Sequence, residues 1–304
     1  MDDTLQRYLQ HVATERRLSA RTLALYTDAL KRLEAAAGEA RVPLERVQQH
    51  HIRRWAAQAH AKGLSPRSVA LLLSGWRGLY TWWGHQGGIS QNPVQGVRAP
   101  RSPKPLPKAL AVEQAIALAE QDDPEADPAL HARDRCIVEM LYGCGLRVGE
   151  LVALDVSAGP GAVGWIDLAE RHAEVLGKGS KRRNVPIGRA AVEALQAWLP
   201  LRAAMAGPGE NALLISQRGT RLSTSQVRSR LKRLSLQAGL PTSVHPHMLR
   251  HSFASHILQS SGDLRAVQEL LGHANIRTTQ VYTKLDFQHL AQVYDAAHPR
   301  AKKK

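Results

Sequence analysis

The sequence predicts a mainly α-helical, two-domain protein of the α+β class. A bundle of four N-terminal helices comes first, then a mixed C-terminal domain holding a small antiparallel sheet. Three observations predict it. Apolar residues recur at helical spacing through residues 1–97, with no strand alternation. Four prolines (Pro100, Pro103, Pro105, Pro107) crowd into Arg98–Leu110, where they forbid helix and favour an extended, basic connector. Period-two alternation is confined to residues 163–187. At 304 residues the chain suits two cores better than one. The expected boundaries are 1–97, a linker at 98–107, and 108–304.

The elements follow in order. Leu5, Tyr8, Leu9 and Val12 mark a first helix. Ser19 caps a second, carrying Leu23, Tyr26, Leu30 and Leu33 and stopping at Gly38. A third runs from about His50 to Ala61 and ends at Gly63; Ser65-Pro66 opens a fourth through Leu72, Trp76 and Tyr80. Beyond the linker, helices are expected at Val112–Gln121 and Ala129–Tyr142. The second of these closes on Gly143-Cys-Gly-Leu-Arg147, and Glu150–Leu154 resumes a helix. Strands are expected at 163–168, 172–176 and 182–187, with Gly177-Lys178-Gly179 at the tip between the last two. Helices return at Ala190–Leu199 and, strongly basic, at Ser223–Ala238. A helix opened by Pro246 follows, then one that Gly272 stops after Leu271. Tyr282 sits in a short helix. Phe287, Leu290, Ala291 and Tyr294 give a closing amphipathic helix over 286–297.

Charge narrows the partners. The net charge is +15, which draws nucleic acid or an anionic surface. From Arg46 to Val112 there is no Asp or Glu against ten Lys or Arg, and Asn211–Gly262 also lacks acidic residues. One-signed stretches of this length repel themselves unless a polyanion neutralises them, so they read as a footprint for DNA or RNA. Arg53, Arg54, Lys62, Arg67 and Arg77 are candidates for phosphate contact, whereas Trp76, Trp82 and Trp83 suit core or interface. Two cysteines, Cys136 and Cys144, read as small buried hydrophobes of a reducing compartment. The N-terminus lacks a signal peptide's apolar stretch, and no run reaches the roughly 18 apolar residues of a membrane helix. A soluble, cytoplasmic protein is expected.

The stretch His245–Tyr282 gathers residues suited to a phosphate. His247 and Arg250 are one helical turn apart, and an Arg fork binds two phosphate oxygens while staying charged. His273 follows a helix stop, and Tyr282 comes nine residues later. Upstream, Arg147 lies in a Gly-rich loop with Glu150 placed to hold it by an ion pair, and Lys178 stands between two glycines with Lys181 as competitor. Each of these alone has an ordinary structural explanation. The histidines here have neither a carboxylate nor a Cys pair beside them in sequence, so no metal is expected. No phosphate-binding Gly loop or dinucleotide fingerprint is present, so no cofactor is expected.

Taken in order, Arg147, Lys178, His247-x-x-Arg250, His273 and Tyr282 resemble the tyrosine recombinase (phage integrase) family. The motifs carrying the resemblance are GCGLRVGEL, GKGSKRRNVPI, HPHMLRHSFASHI, LLGHANIRTTQVY and LDFQHLAQVYDAAHPRA. The last is most similar to the Xer subfamily, on its XerC branch. The resemblance covers nearly the whole chain. It implies an N-terminal core-binding domain and a catalytic domain of the DNA breaking–rejoining type. It also implies catalytic roles for Arg147, Lys178, His247, Arg250, His273 and Tyr282, and strand exchange through a 3′-phosphotyrosyl link without metal or ATP. The implied partners are a double-stranded recombination site, a XerD-like sister recombinase in a heterotetramer on two sites, and a septal DNA translocase. The implied task is resolving chromosome dimers at cell division. The closing helix is expected to dock on a neighbouring subunit and control delivery of Tyr282. One departure is the connection from Asp155 to Lys178, which is longer than the family's and is expected to lengthen the loop before the sheet. Beside this reading stand an integrase of a mobile element, a type IB topoisomerase-like relaxing enzyme, and a non-catalytic DNA-binding protein.

Overall fold

The computed structural model describes residues 1–101, 109–121, 127–177, 182–271 and 292–300. The chain divides into two compact units, Met1–Pro105 and Leu106–Lys304.

The first unit is built from α1 (Asp3–Thr14), α2 (Ala20–Glu39), α3 (Gln49–Ala61) and α4 (Pro66–His85). Local chemistry sets the helix starts. Asp2, Ser19 and Ser65 each accept a backbone N–H from the first turn that would otherwise go unpaired. Leu5, Tyr8, Leu30, Leu33, Ile52, Leu73 and Trp76 fill the core. Two of its polar handles are satisfied, Trp76 Nε1 donating to Ala29 O at 2.7 Å and Tyr80 OH to Leu44 O at 2.9 Å, while the buried Tyr8 hydroxyl has no partner among the described residues. The second helix runs past Gly38, and the left-handed residue that turns the chain is Arg41 (φ 54°). Trp82 and Trp83, both half-buried, pack on Tyr8 and Tyr80. Arg53, Arg54, Lys62 and Arg67 are exposed; Arg77 instead donates to Val97 O at 2.9 Å and serves the fold.

The second unit is organised on α6 (Pro128–Tyr142), which follows α5 (Val112–Glu120). Asp127 caps it, with Pro128 in the first turn. Cys136, Ile137, Val138, Met140, Leu141 and Tyr142 are all buried, and so are Arg133, Asp134 and Glu139, so this helix runs through the core with its charged groups paired inside. Both cysteines are free buried thiols, and burial raises each pKa, that of Cys144 to about 12. Asp134 accepts from Arg133 and from Arg230 on α9 (Thr224–Gln237), tying two helices through one carboxylate.

After α7 (Val148–Val152) come β1 (Leu154–Asp155), β2 (Gly164–Asp167), β3 (His172–Leu176) and β4 (Arg182–Pro186). The expected three-stranded antiparallel sheet gains β1, which pairs parallel with β2, so the sheet is mixed and ordered β1-β2-β3-β4. The long connection explains this. Residues 156–163 turn back through Gly159 and Gly161, returning the chain beside β1 in the same direction. Residues 178–181, with Lys178 and Lys181, lie outside the described residues. Next is α8 (Arg189–Met205), which continues past Leu199 through Pro200. Trp198 Nε1 donates to Leu213 O and Arg202 Nε to Ala212 O, so bonds on both sides hold the helix across its missing N–H. Then come α9, α10 (Pro246–Ser261), α11 (Leu264–Leu271) and a last helix, α12, at residues 292–297. Among the described residues no helix is long and apolar enough to cross a membrane.

Candidate active site

The start of α10 carries two of the sequence-predicted residues. His245 caps it, its Nδ1 accepting Met248 N–H at 3.2 Å, and Pro246 takes the first turn. His247 and Arg250 therefore share the first turn and a half, but their surroundings differ. His247 is exposed, while Arg250 is buried beside the apolar stripe Leu249, Phe253 and Ile257. Arg250 Nη1 donates to Gly145 O at 2.6 Å, and Nη2 donates to Leu271 O. Its fork is thus fixed by two main-chain carbonyls from segments far apart in sequence.

Gly145 makes that anchor possible. Its φ is +61°, and a Cβ there would stand 2.4 Å from Phe253 Cδ1. Gly145→Ala should therefore lower the unfolding free energy of the second unit by about 2–4 kcal/mol, from left-handed strain plus overpacking. It should also displace the carbonyl that holds Arg250. Denaturant unfolding beside DNA-cleavage rates would check both effects.

Arg147 is the N-cap of α7. Its backbone N–H donates to Glu150 Oε2 and its Nη1 to Glu150 Oε1, both at 2.8 Å, so the expected ion pair forms. Glu150 also draws Arg183 from β4, with Nη1 at 2.8 Å from Oε1 and Nη2 at 3.1 Å from Oε2, and Arg250 Nη1 at 3.8 Å from Oε2. The Asn211–Gly262 stretch lacks carboxylates, yet the folded site does not: Glu150 arrives from outside it and lies at the centre of three guanidinium groups. Burial alone would raise the Glu150 pKa, but hydrogen bonds and charge from Arg183 and Arg147 outweigh it and hold the carboxyl below its ordinary value. Burial, and then the Arg147 charge, pull Arg250 down to about 10, so it stays a cation at neutral pH. Three cations and one anion leave a net charge of +2 (3 − 1), a setting for a phosphodiester gaining negative charge.

Arg183 was not among the sequence-predicted residues. Strand parity was the available signal, because Arg183 shares a face with buried Val185 two residues on. Lys178, His273 and Tyr282 lie outside the described residues. Among the described residues no three His, Cys, Asp or Glu side chains gather in a way that could hold a metal.

Residues 292–300 pack on their own unit; positions 286–291 of the expected docking helix lie outside the described residues. Tyr294 is buried with its hydroxyl pressed on Gly188, where a Cβ would come within 2.1 Å. Its ring stacks on His298 at 5.0 Å, and His298 also meets Tyr142 and Phe253. Arg300 donates to Glu139, which is fully buried, and to Glu120. Burial raises the Glu139 pKa, and Arg300 opposes that only in part.

His298 gives this cluster a pH dependence. Burial first, then the neighbouring His256, push its pKa from 6.5 to about 3; a backbone hydrogen bond with Tyr142 opposes this, and Arg300 adds a smaller push downward. His256, whose Nε2 donates to Leu110 O while Nδ1 accepts from Tyr142 OH, is lowered in the same sense, chiefly by burial. The native ring stays neutral while the unfolded chain takes up a proton below pH 6.5. Stability is therefore full above that value and lost as pH falls. His298 should contribute a loss of about 1.4 kcal/mol per pH unit between roughly pH 6 and pH 3. Urea unfolding at pH 7.5 and 5.0 should show the loss, and His298→Phe should flatten it.

The chain is similar to known proteins in sequence and in fold. The model of the phage integrase family matches residues 108–289, and that of the phage integrase N-terminal SAM-like domain matches residues 5–87. Tyrosine recombinase XerC 1 of Ralstonia nicotianae is 55% identical over 98% of this chain and 93% of its own length. Tyrosine recombinase XerC of Pseudomonas aeruginosa is 46% identical over 99% and 96%. In fold, the chain is similar to XerH recombinase bound to its palindromic difH substrate after cleavage (TM-score 0.68, 22% identity, covering 95% of this chain and 82% of that one). It is similar also to a lambda integrase dimer on a COC′ core site (TM-score 0.67, 19% identity, 92% and 98%). Three arginines gather on one carboxylate in this chain, and the two domain models that match it, with the XerC proteins that parallel it almost end to end, make it a member of the phage integrase family of tyrosine recombinases.

Proposed function

We propose that this chain is a site-specific recombinase that cuts and rejoins duplex DNA and, with a XerD-like sister recombinase on paired sites, resolves chromosome dimers to monomers in the cytoplasm at cell division. What supports the chemistry is the Arg147–Glu150–Arg250 cluster, a fixed cationic seat built from two segments a hundred residues apart. The extent of the XerC match favours this task over that of a mobile-element integrase.

In this reading the Tyr282 phenol, ordinarily with a pKa near 10, loses its proton with help from His247 and attacks the scissile phosphorus. The P–O5′ bond breaks, a 3′-phosphotyrosyl bond forms, and Lys178 gives the leaving 5′-oxygen its proton. Arg147 and Arg250 stabilise the charge gathering on the non-bridging oxygens, without reorganising, and His273 hydrogen-bonds one of them. The 5′-hydroxyl of the partner strand then displaces the tyrosine. One diester replaces another, so no external energy source enters. The exposed Arg53, Arg54, Lys62 and Arg67 of the first unit supply sequence-independent hold on the backbone. We also propose that the chain uses 1–97 as core-binding domain, 98–107 as linker and 108–304 as catalytic domain, with the helix at 286–297 governing delivery of Tyr282 in contact with a neighbouring subunit.

Covalent trapping tests the reading. A nicked duplex bearing the recombination site, incubated with the protein and its sister recombinase in EDTA, should give a protein–DNA adduct that survives denaturation. Absence of an adduct in EDTA, with recovery on adding zinc or magnesium, would overturn the metal-free mechanism.

A further inference from the structure

We propose that Arg183 is a positioning residue for phosphoryl transfer: its fork occupies both oxygens of Glu150, so that the carboxylate orients Arg147 without neutralising it. The inference rests on the catalytic reading of Arg147 given above.

The geometry distinguishes the three arginines. Arg183 is buried, with 9% of its side chain exposed, and both of its terminal nitrogens are taken by Glu150. Its remaining nitrogen, Nε, is buried and makes no hydrogen bond among the described residues, and little of the side chain is open to a phosphate. Arg147 is the opposite case. Its side chain is 39% exposed and spends one nitrogen on Glu150; among the described residues the rest of its fork makes no hydrogen bond. That open edge is what a phosphate oxygen would meet. Arg250 stands farther from the carboxylate, at 3.8 Å, and is pinned by carbonyls instead.

Without Arg183, the buried Glu150 would lose two charge-assisted bonds. Its nearest remedy is Arg147, whose fork matches a carboxylate as well as it matches a phosphate. A closed Arg147–Glu150 pair would compete with DNA for the same donors, and the site's net charge would fall from +2 to +1. Arg183 prevents this by donating to both oxygens of the carboxylate. It also ties the start of β4 to the cap of α7, fixing the chain a few residues after Lys178.

The test is a double-mutant cycle on single-turnover cleavage of a nicked suicide duplex, with DNA affinity measured in parallel. Arg183→Met, which keeps the unbranched stem and deletes the fork, should slow cleavage about 10–100-fold while duplex affinity stays within about threefold. Arg183→Lys, which can restore one bond of the two, should fall between Met and wild type. In a Glu150→Gln background there is no charge left to hold, so adding Arg183→Met should change the rate by less than about threefold. Wild-type cleavage by Arg183→Met overturns the proposal. So does an equal loss in both backgrounds, since that means Arg183 acts independently of Glu150. If Arg183→Met does not fold, as shown by lost duplex affinity, Arg183→Lys carries the cycle with the same criteria. Should wild-type protein itself form no adduct, the catalytic reading fails; an adduct in wild type with no effect of Arg183 sinks only the positioning role.

Discussion

Replacing Tyr282 by Phe should remove the covalent protein–DNA adduct entirely while leaving duplex affinity within about twofold of wild type. The substitution deletes one oxygen, and that oxygen is the atom proposed to bond to phosphorus, so no slower route to the same linkage remains. The other phenols of the second unit are poor substitutes. Tyr142 and Tyr294 are buried, and burial raises both well above the ordinary value. In the first unit Tyr8 is pushed up to about 12 by burial and Tyr80 is raised likewise. Peptide mapping of the wild-type adduct should place the DNA on the peptide containing Tyr282. An adduct at wild-type level from the Phe variant, or mapping to another residue, would sink the assignment.

Arg250 should show the second-largest effect. Arg250→Lys keeps the charge and loses the fork, and one ammonium cannot serve both Gly145 O and Leu271 O. Cleavage should fall by about 10²–10³-fold, the range for losing one fixed donor to a developing oxyanion. Duplex affinity should change little, because one phosphate contact among many is at stake; the slope of log affinity against log salt should shift by about 0.9 or less. Stability should drop as well, since a buried carbonyl left without its donor costs about 1–3 kcal/mol. A cleavage rate within threefold of wild type would show that the buried guanidinium serves the fold alone.

How far these features were legible in the sequence depended on the range of the interactions behind them. Helix starts rest on a side chain reaching two or three residues along: Ser19 and Ser65 cap where the sequence places helix starts, and of Ser223 and Thr224, either of which suits the cap of α9, the structure uses Ser223. Helix ends were harder. Gly38 and Leu199-Pro200 look like stops, yet the first helix turns at Arg41 and the second is held through its proline by Trp198 and Arg202, whose acceptors come from elsewhere in the fold. Two-residue β1 is too short to show a period. The site divides in the same way. Arg147 and Glu150 are three residues apart, so their pairing is a local matter, whereas Arg183 reaches Glu150 from 33 residues away. The absence of acidic residues from Asn211–Gly262 correctly marked a cationic stretch but concealed the carboxylate that tertiary structure brings to it.

The packing of residues 292–300 also bears on how the protein is made. The four helices of the first unit have a core of their own and can close as they leave the ribosome. The second unit cannot do so in the same stepwise manner. Its central helix α6 is wrapped on one side by Tyr294, Ala297, His298 and Arg300, which are synthesised some 150 residues later. Until they arrive, Tyr142, Phe253 and the carboxyl of Glu139 face an open slot. On the proposed function, the unit that grips DNA is therefore complete well before the unit that cuts it. The proposed nucleophile is translated before the segment that closes the core, so on that reading a half-made chain holds no finished cleavage site.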